Sequence, residues 1–152
     1  MKKIILLVPT LLLLLTGCGK EESGVINCTS SSRDVVNGYE LKTEYKINYT
    51  GDYVNSVNTV ETVTSENQEI LDYLETYVKT TYDALNEEYG GYTYEVTNEN
   101  GQVSANVTID YNQMNLEQFV TDQPTLKPYV EEGKMLVDGI MVLYESLGAT
   151  CE

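Results

Sequence analysis

The groups able to do chemistry in this chain include three thiols, 24 carboxylates and 13 tyrosines, with no histidine anywhere in 152 residues. Without imidazole, histidine triads, histidine general bases and the usual zinc ligands are excluded together. Carboxylate, lysine and tyrosine chemistry stays open, because burial tunes those groups as well. A carboxylate-dependent cell-wall hydrolase would need two acids about 5 to 10 Å apart in a cleft, one with a raised pKa. Spacing along the chain nominates no such pair, so no catalytic residue is assigned. Asn98-Glu99-Asn100-Gly101 matches part of a calcium loop but lacks its remaining ligands, which leaves weak divalent-cation binding by the acidic surface as a further reading without a metal site. No cofactor motif is present, and the absence of Cys-x-x-Cys argues against a redox role. The thiols therefore carry the clearest chemistry: Cys18 at the end of an apolar run, and Cys28 and Cys151 near opposite ends of the remaining chain.

The elements that must position Cys18 form a leader. Lys2 and Lys3 precede an apolar run from Ile4 to Leu15 that Pro9 and Thr10 interrupt, the layout of a secretory signal. As a helix the run would cover roughly 18 Å at about 1.5 Å per residue, short of a hydrocarbon core of about 30 Å. Its end, Leu15-Thr16-Gly17-Cys18, resembles the lipobox of bacterial lipoproteins, in which a large apolar and two small residues precede the cysteine. That resemblance implies cleavage before Cys18 and acylation of its thiol, and hence a domain held on the extracytoplasmic face of a bacterial membrane. Each buried methylene contributes roughly 0.8 kcal/mol, so two or three acyl chains anchor durably. Residues 1–17 are read as signal peptide, 18–24 as the lipidated cysteine with a short linker, and 25–152 as one domain. The linker spans at most about 20 Å, which keeps the domain close to the bilayer.

Loss of Lys2 and Lys3 with the leader leaves seven cations against 24 carboxylates, a charge of about −17 on 135 residues. Such a field repels nucleic-acid phosphates and anionic headgroups, so nucleic acid is not expected as a partner. An exported location permits Cys28 and Cys151 to pair. A bridge between them would close almost the whole domain, the alternative being two free thiols.

Tyr39, Leu41, Thr43, Tyr45, Ile47 and Tyr49 alternate with polar residues, predicting a half-buried strand; Thr50-Gly51-Asp52 turns into a second strand over about 53–64. The register between them stays open, because neither a two-residue nor a three-residue loop matches every apolar position. Residues 67–89 switch to helical period, with Ile70, Leu71, Tyr73, Leu74, Tyr77, Val78, Tyr82, Ala84 and Leu85 on one half and acids on the other. Gly90-Gly91 supplies the stop. Asn100-Gly101 is a type I′ turn signal that forces Glu99 to face Gln102 and so pairs Val96 with Ala105, Tyr94 with Val107 and Tyr92 with Ile109. A short helix over 116–120, an irregular stretch with Pro124 and Pro128, and a last helix over about 138–147 complete the chain. Many tyrosines occupy core-facing positions, leaving Tyr53, Tyr89 and Tyr129 as those expected at the surface.

The Tyr49-Thr50-Gly51-Asp52 turn, the segment Val107-Thr108-Ile109-Asp110-Tyr111 with Leu116 downstream, and Leu143 to Gly148 resemble the YehR-like family of small bacterial lipoproteins. The resemblance implies fold and address and adds no activity or site; the Cys28 and Cys151 pair is not a feature of the whole family. The expected architecture is α+β, an antiparallel sheet of four to five strands with one long amphipathic helix on one face and a C-terminal helix beside it. The expected role is a non-catalytic binding module that uses Cys18 to engage the bilayer and takes an envelope protein or small ligand as partner.

Overall fold

The computed structural model describes residues 21–152. Cys18 and its leader lie outside the described residues. The strands β1 (Ser23–Asp34), β2 (Tyr39–Thr50) and β3 (Tyr53–Ser65) form a meander, α1 (Gln68–Tyr89) crosses one face, and β4 (Tyr92–Glu99) and β5 (Gln102–Asp110) add a hairpin. The chain continues through α2 (Leu116–Asp122), a 3₁₀ turn over Pro124–Tyr129, a small hairpin of β6 (Val130–Glu131) and β7 (Lys134–Met135), α3 (Val137–Ser146) and β8 (Thr150–Cys151). The main sheet is antiparallel, in the order β4-β5-β3-β2-β1-β8.

Six strands stand where four to five were expected. The additional one is β8, whose two residues are too short to show any period; the Cys28–Cys151 disulfide and paired Asn27–Glu152 backbone bonds of 3.2 and 2.8 Å hold it on the sheet edge. β1 also runs on through Ser30-Ser31-Ser32 to Asp34, a polar stretch kept extended by its full register with β2. It begins at Ser23, two residues ahead of the expected domain start.

The β4–β5 hairpin follows its turn chemistry. Asn100 and Gly101 both take positive φ, 56° and 75°, and Glu99 faces Gln102, with Val96, Tyr94 and Tyr92 opposite Ala105, Val107 and Ile109. The β2–β3 pair resolves its open register with a device invisible to simple alternation. A two-residue Gly51-Asp52 turn pairs Thr50 with Tyr53 and Tyr49 with Val54, and then Asn55 bulges so that Asn48 meets Ser56 and Ile47 meets Val57. The extra residue switches side-chain parity, which lets both Val54 and Val57 be buried although they are three apart.

Asn67 caps α1, its side chain accepting from the Glu69 N–H. Leu71, with no exposed surface, seats the helix against Val63 and Val103, while Val78, Tyr82, Leu85 and Tyr89 continue the contact along the sheet. Only this stripe is covered, which corrects the expected placement of tyrosines. Tyr73 and Tyr77 lie about 160° and 120° around the helix from Leu71 and are 66% and 56% exposed. Tyr89, expected outside, is buried edge-on against Phe119 and donates to Asp122 at 3.0 Å, and Tyr53 and Tyr129 are half-buried. Half the helical wheel is apolar by residue type, whereas the flat sheet meets only a narrower strip of it.

Gly90 closes α1 by donating to Asn86 at 2.9 Å. Gly91 has a different reason: its φ is +78°, and a Cβ there would lie 2.6 Å from the Asp110 carbonyl oxygen. Gly91→Ala is expected to cost about 3 kcal/mol, from left-handed strain of about 1–2 kcal/mol and the backbone clash. Urea unfolding of the variant tests this, and a loss below about 1 kcal/mol would contradict the account.

Candidate functional site

β1 starts at Ser23 and runs twelve residues to Asp34, carrying the chain about 36 Å at roughly 3.3 Å per step. Three turns meet at that far end. They are the β1–β2 turn over Val35–Gly38, the β3–α1 junction over residues 66–67, and the β4–β5 turn at Asn100-Gly101. Between them lies an open groove of about 940 Å³, lined by Arg33, Asp34, Val35, Val36, Glu40 and Glu66 among others.

Ser65 ties the turns together. Its hydroxyl donates to the Gly38 carbonyl at 2.8 Å and accepts from the Asn67 N–H at 3.1 Å, and its own N–H donates to Gly101 at 3.2 Å. One buried residue thus reaches all three segments. The β1–β2 turn is also fastened internally, because the Asp34 carboxylate accepts from the Val36 and Asn37 N–H groups at 2.9 Å each and from the Asn37 amide at 2.7 Å. The Asn37 backbone bond, aided by its side chain, holds the Asp34 carboxyl below the usual range. This fixed turn carries Val35 and Val36 into solvent, 80% and 89% exposed. Two adjacent β-branched side chains on a pinned turn, beside polar groups with fixed directions, suit recognition of a partial apolar surface. Ser65→Ala is expected to cost about 1–2 kcal/mol, since it strands the Gly38 carbonyl and the Asn67 N–H. Amide exchange at Val36–Gly38 should quicken with it, and unchanged exchange would mean the turns are held otherwise.

A second, smaller groove of about 560 Å³ lies near the start of β1, with Ile26, Leu136, Val137 and Met141 beside Asp52 and Asp138. Among the described residues no three acidic or cysteine side chains are placed to hold a metal ion, and no helix is long and apolar enough to cross a membrane. Asn98-Glu99-Asn100-Gly101 is the end of the β4–β5 hairpin. The structure joins Cys28 to Cys151.

A group that sequence reasoning missed is Glu61. It faces the helix side of β3, opposite Thr43 and Ala105, and accepts from the Tyr82 hydroxyl at 2.7 Å. Burial raises its pKa, against the lowering effect of the Tyr82 bond. The signal was its parity with Thr59 and Val63, which is readable only once the Asn55 bulge sets the register. Since its folded pKa is raised, the protonated form favours the fold: stability is full below the ordinary glutamate value near 4.5 and falls as pH rises through the folded value. Glu61→Gln should therefore stabilise the domain at pH 7 relative to wild type, with the difference vanishing near pH 4. Thermal midpoints across that range measure it, and a destabilised variant at pH 7 would show that the charge itself is needed.

No family of known proteins and no curated relative matches the chain. One solved structure, described as the NMR structure of the protein from Streptococcus pneumoniae TIGR4, is similar at 9% identity and a TM-score of 0.49, covering 100% of this chain and 98% of that one.

Proposed function

We propose that this chain is a lipid-anchored bacterial envelope protein, tethered through Cys18, whose domain is a non-catalytic binding module presenting the far-end groove to a protein or small ligand. The observation that carries the reading is the Val35-Val36 turn, pinned by Asp34 and Ser65 beside the larger groove and a full strand length from the anchored end. The leader supplies the anchor and the YehR-like resemblance agrees with that address. The strand direction supplies the reach.

Hydrolysis is the second reading, because the same groove gathers Asp34, Glu40 and Glu66. Glycan cleavage needs one carboxyl held protonated. Asp34 is driven the other way by its hydrogen bonds, and Glu61, whose pKa is raised, lines neither groove.

The anchor is tested by labelled-palmitate incorporation, which Cys18→Ser should abolish while releasing the protein from membranes. The groove is tested by cross-linking in intact envelopes, comparing wild type with Val35→Ser/Val36→Ser. A partner captured by wild type and lost from the variant supports the module. Capture that is identical in both, or absent above a lipid-free control, removes the groove from the reading. Release of reducing ends from purified cell wall, abolished by Glu66→Gln, would establish the hydrolase instead.

A further inference from the structure

The outer flank of α1 combines two features that folding alone does not require. Tyr73 and Tyr77 stack on one another, with ring centroids 6.2 Å apart and planes 20° from parallel. They are the two most exposed large hydrophobic side chains of the helix, whereas its other tyrosines, Tyr82 and Tyr89, end in hydrogen bonds to Glu61 and Asp122. No hydrogen bond from either exposed phenol is found among the described residues. Around the rings the stripe is open, with exposed Thr80 and Ala84 one and two turns on. Neither ring lines the far-end groove.

The second feature is charge. α1 carries six carboxylates, Glu69, Asp72, Glu75, Asp83, Glu87 and Glu88, against a single cation, Lys79, which Glu75 already holds at 2.6 Å. Asp72 and Asp83 are engaged by Asn98 and Tyr94. Glu69, one turn before Tyr73, and Glu87 and Glu88 at the far end are exposed. An aromatic centre is thereby flanked by carboxylates, about 6 Å away on one side and about 15 Å on the other by helical rise.

We infer that this flank docks an arginine-bearing basic segment of another envelope protein, one guanidinium lying flat on the Tyr73–Tyr77 platform and neighbouring cations meeting Glu69, Glu87 and Glu88. A planar guanidinium both stacks on tyrosine and pairs with carboxylate, whereas a compact, strongly hydrated ammonium stacks less well. A neutral glycan would gain nothing from the flanking carboxylates, and an anionic lipid surface would be repelled by them. Complementary charge speeds encounter, and the rings supply the anchor.

The test uses the detergent-solubilised mature chain, titrated at physiological salt with a synthetic peptide repeating Arg-Gly-Ser and with its Lys-Gly-Ser counterpart, followed by amide NMR. The arginine peptide is expected to bind about tenfold more tightly than the lysine peptide, a factor worth about one good aromatic contact. Shifts should centre on residues 69–84, and the arginine advantage should disappear in Tyr73→Ser/Tyr77→Ser. Both rings are exposed, and unchanged far-UV circular dichroism verifies the fold of that variant. Equal binding of the two peptides to wild type, retention of the advantage in the variant, or shifts centred on Val35–Gly38 would each overturn the assignment.

Discussion

Between pH 10 and about 12 the domain is expected to unfold cooperatively, with tyrosinate absorbance rising in the same step as far-UV ellipticity is lost. The cause is a set of phenols held out of water on the helix side of the sheet. Burial pushes Tyr92 up to about 12, and drives Tyr82, Tyr111 and Tyr144 higher still, with the Glu61 charge adding to the rise at Tyr82. Tyr144 stacks on Tyr45 at 4.1 Å, so the group forms part of the packed core. Each folded-state pKa lies above the unfolded value near 10, so the stability these groups contribute is intact below pH 10. It is lost as pH rises, because the unfolded chain can ionise where the fold cannot. One such group costs about 1.4 kcal/mol per pH unit, and four together remove about 5–6 kcal/mol per unit. Domains of this size hold about 5–15 kcal/mol in total. The transition therefore belongs within about one to two units above pH 10. Gradual ionisation with an unchanged backbone signal through pH 12 would show that these phenols are reached by water in the folded state.

Removing the Cys28–Cys151 bridge should produce the second large effect. It joins positions 123 residues apart, and in the chain-entropy model a loop of that size is worth about 5 kcal/mol. Local structure adds to this. Cys28 is buried in the core, and the disulfide registers Thr29 against Thr150 and Asn27 beside Glu152 along the sheet edge. Cys28→Ala/Cys151→Ala is expected to lose about 4–5 kcal/mol in urea unfolding, with hydrogen exchange at residues 150–152 becoming fast. α3 should stay docked longer than β8, because Ile140 is fully buried and Tyr144 keeps its stack on Tyr45. A loss under about 1 kcal/mol would mean that the reduced, unfolded chain is already compact or that β8 contributes little.

Local chemistry made much of this protein readable in one dimension. The Asn100-Gly101 turn, with alternating apolar residues on both sides, specified an entire hairpin and its register, since two positive-φ residues permit one tight turn and the pleat repeats every two residues. The helical period over 67–89 and the Gly90-Gly91 stop specified α1, and Asn67, within that span, proved to be its cap. The acidic surplus, the lack of histidine and the apolar run that ends at Cys18 are likewise properties of residue type and order.

Tertiary structure decided what depends on comparing distant segments. One bulged residue, Asn55, set which side chains of β3 face inward, and only then did Glu61 become a half-buried carboxyl facing the helix. A hydrophobic wheel knows the period of α1 but not the width of the sheet beneath it, so it could not say that Tyr73 and Tyr77 stand outside while Tyr89 is enclosed. The far-end groove exists because Ser65 bonds to turns that are remote along the chain, and β8 exists because a disulfide recruits two residues without periodicity. Sequence thus determined the long periodic elements, the cysteine positions and the charge, all of which depend on residue type and on neighbours a few residues apart. Parity, exposure and the shape of the candidate site waited on the fold, because each depends on what a segment is placed against.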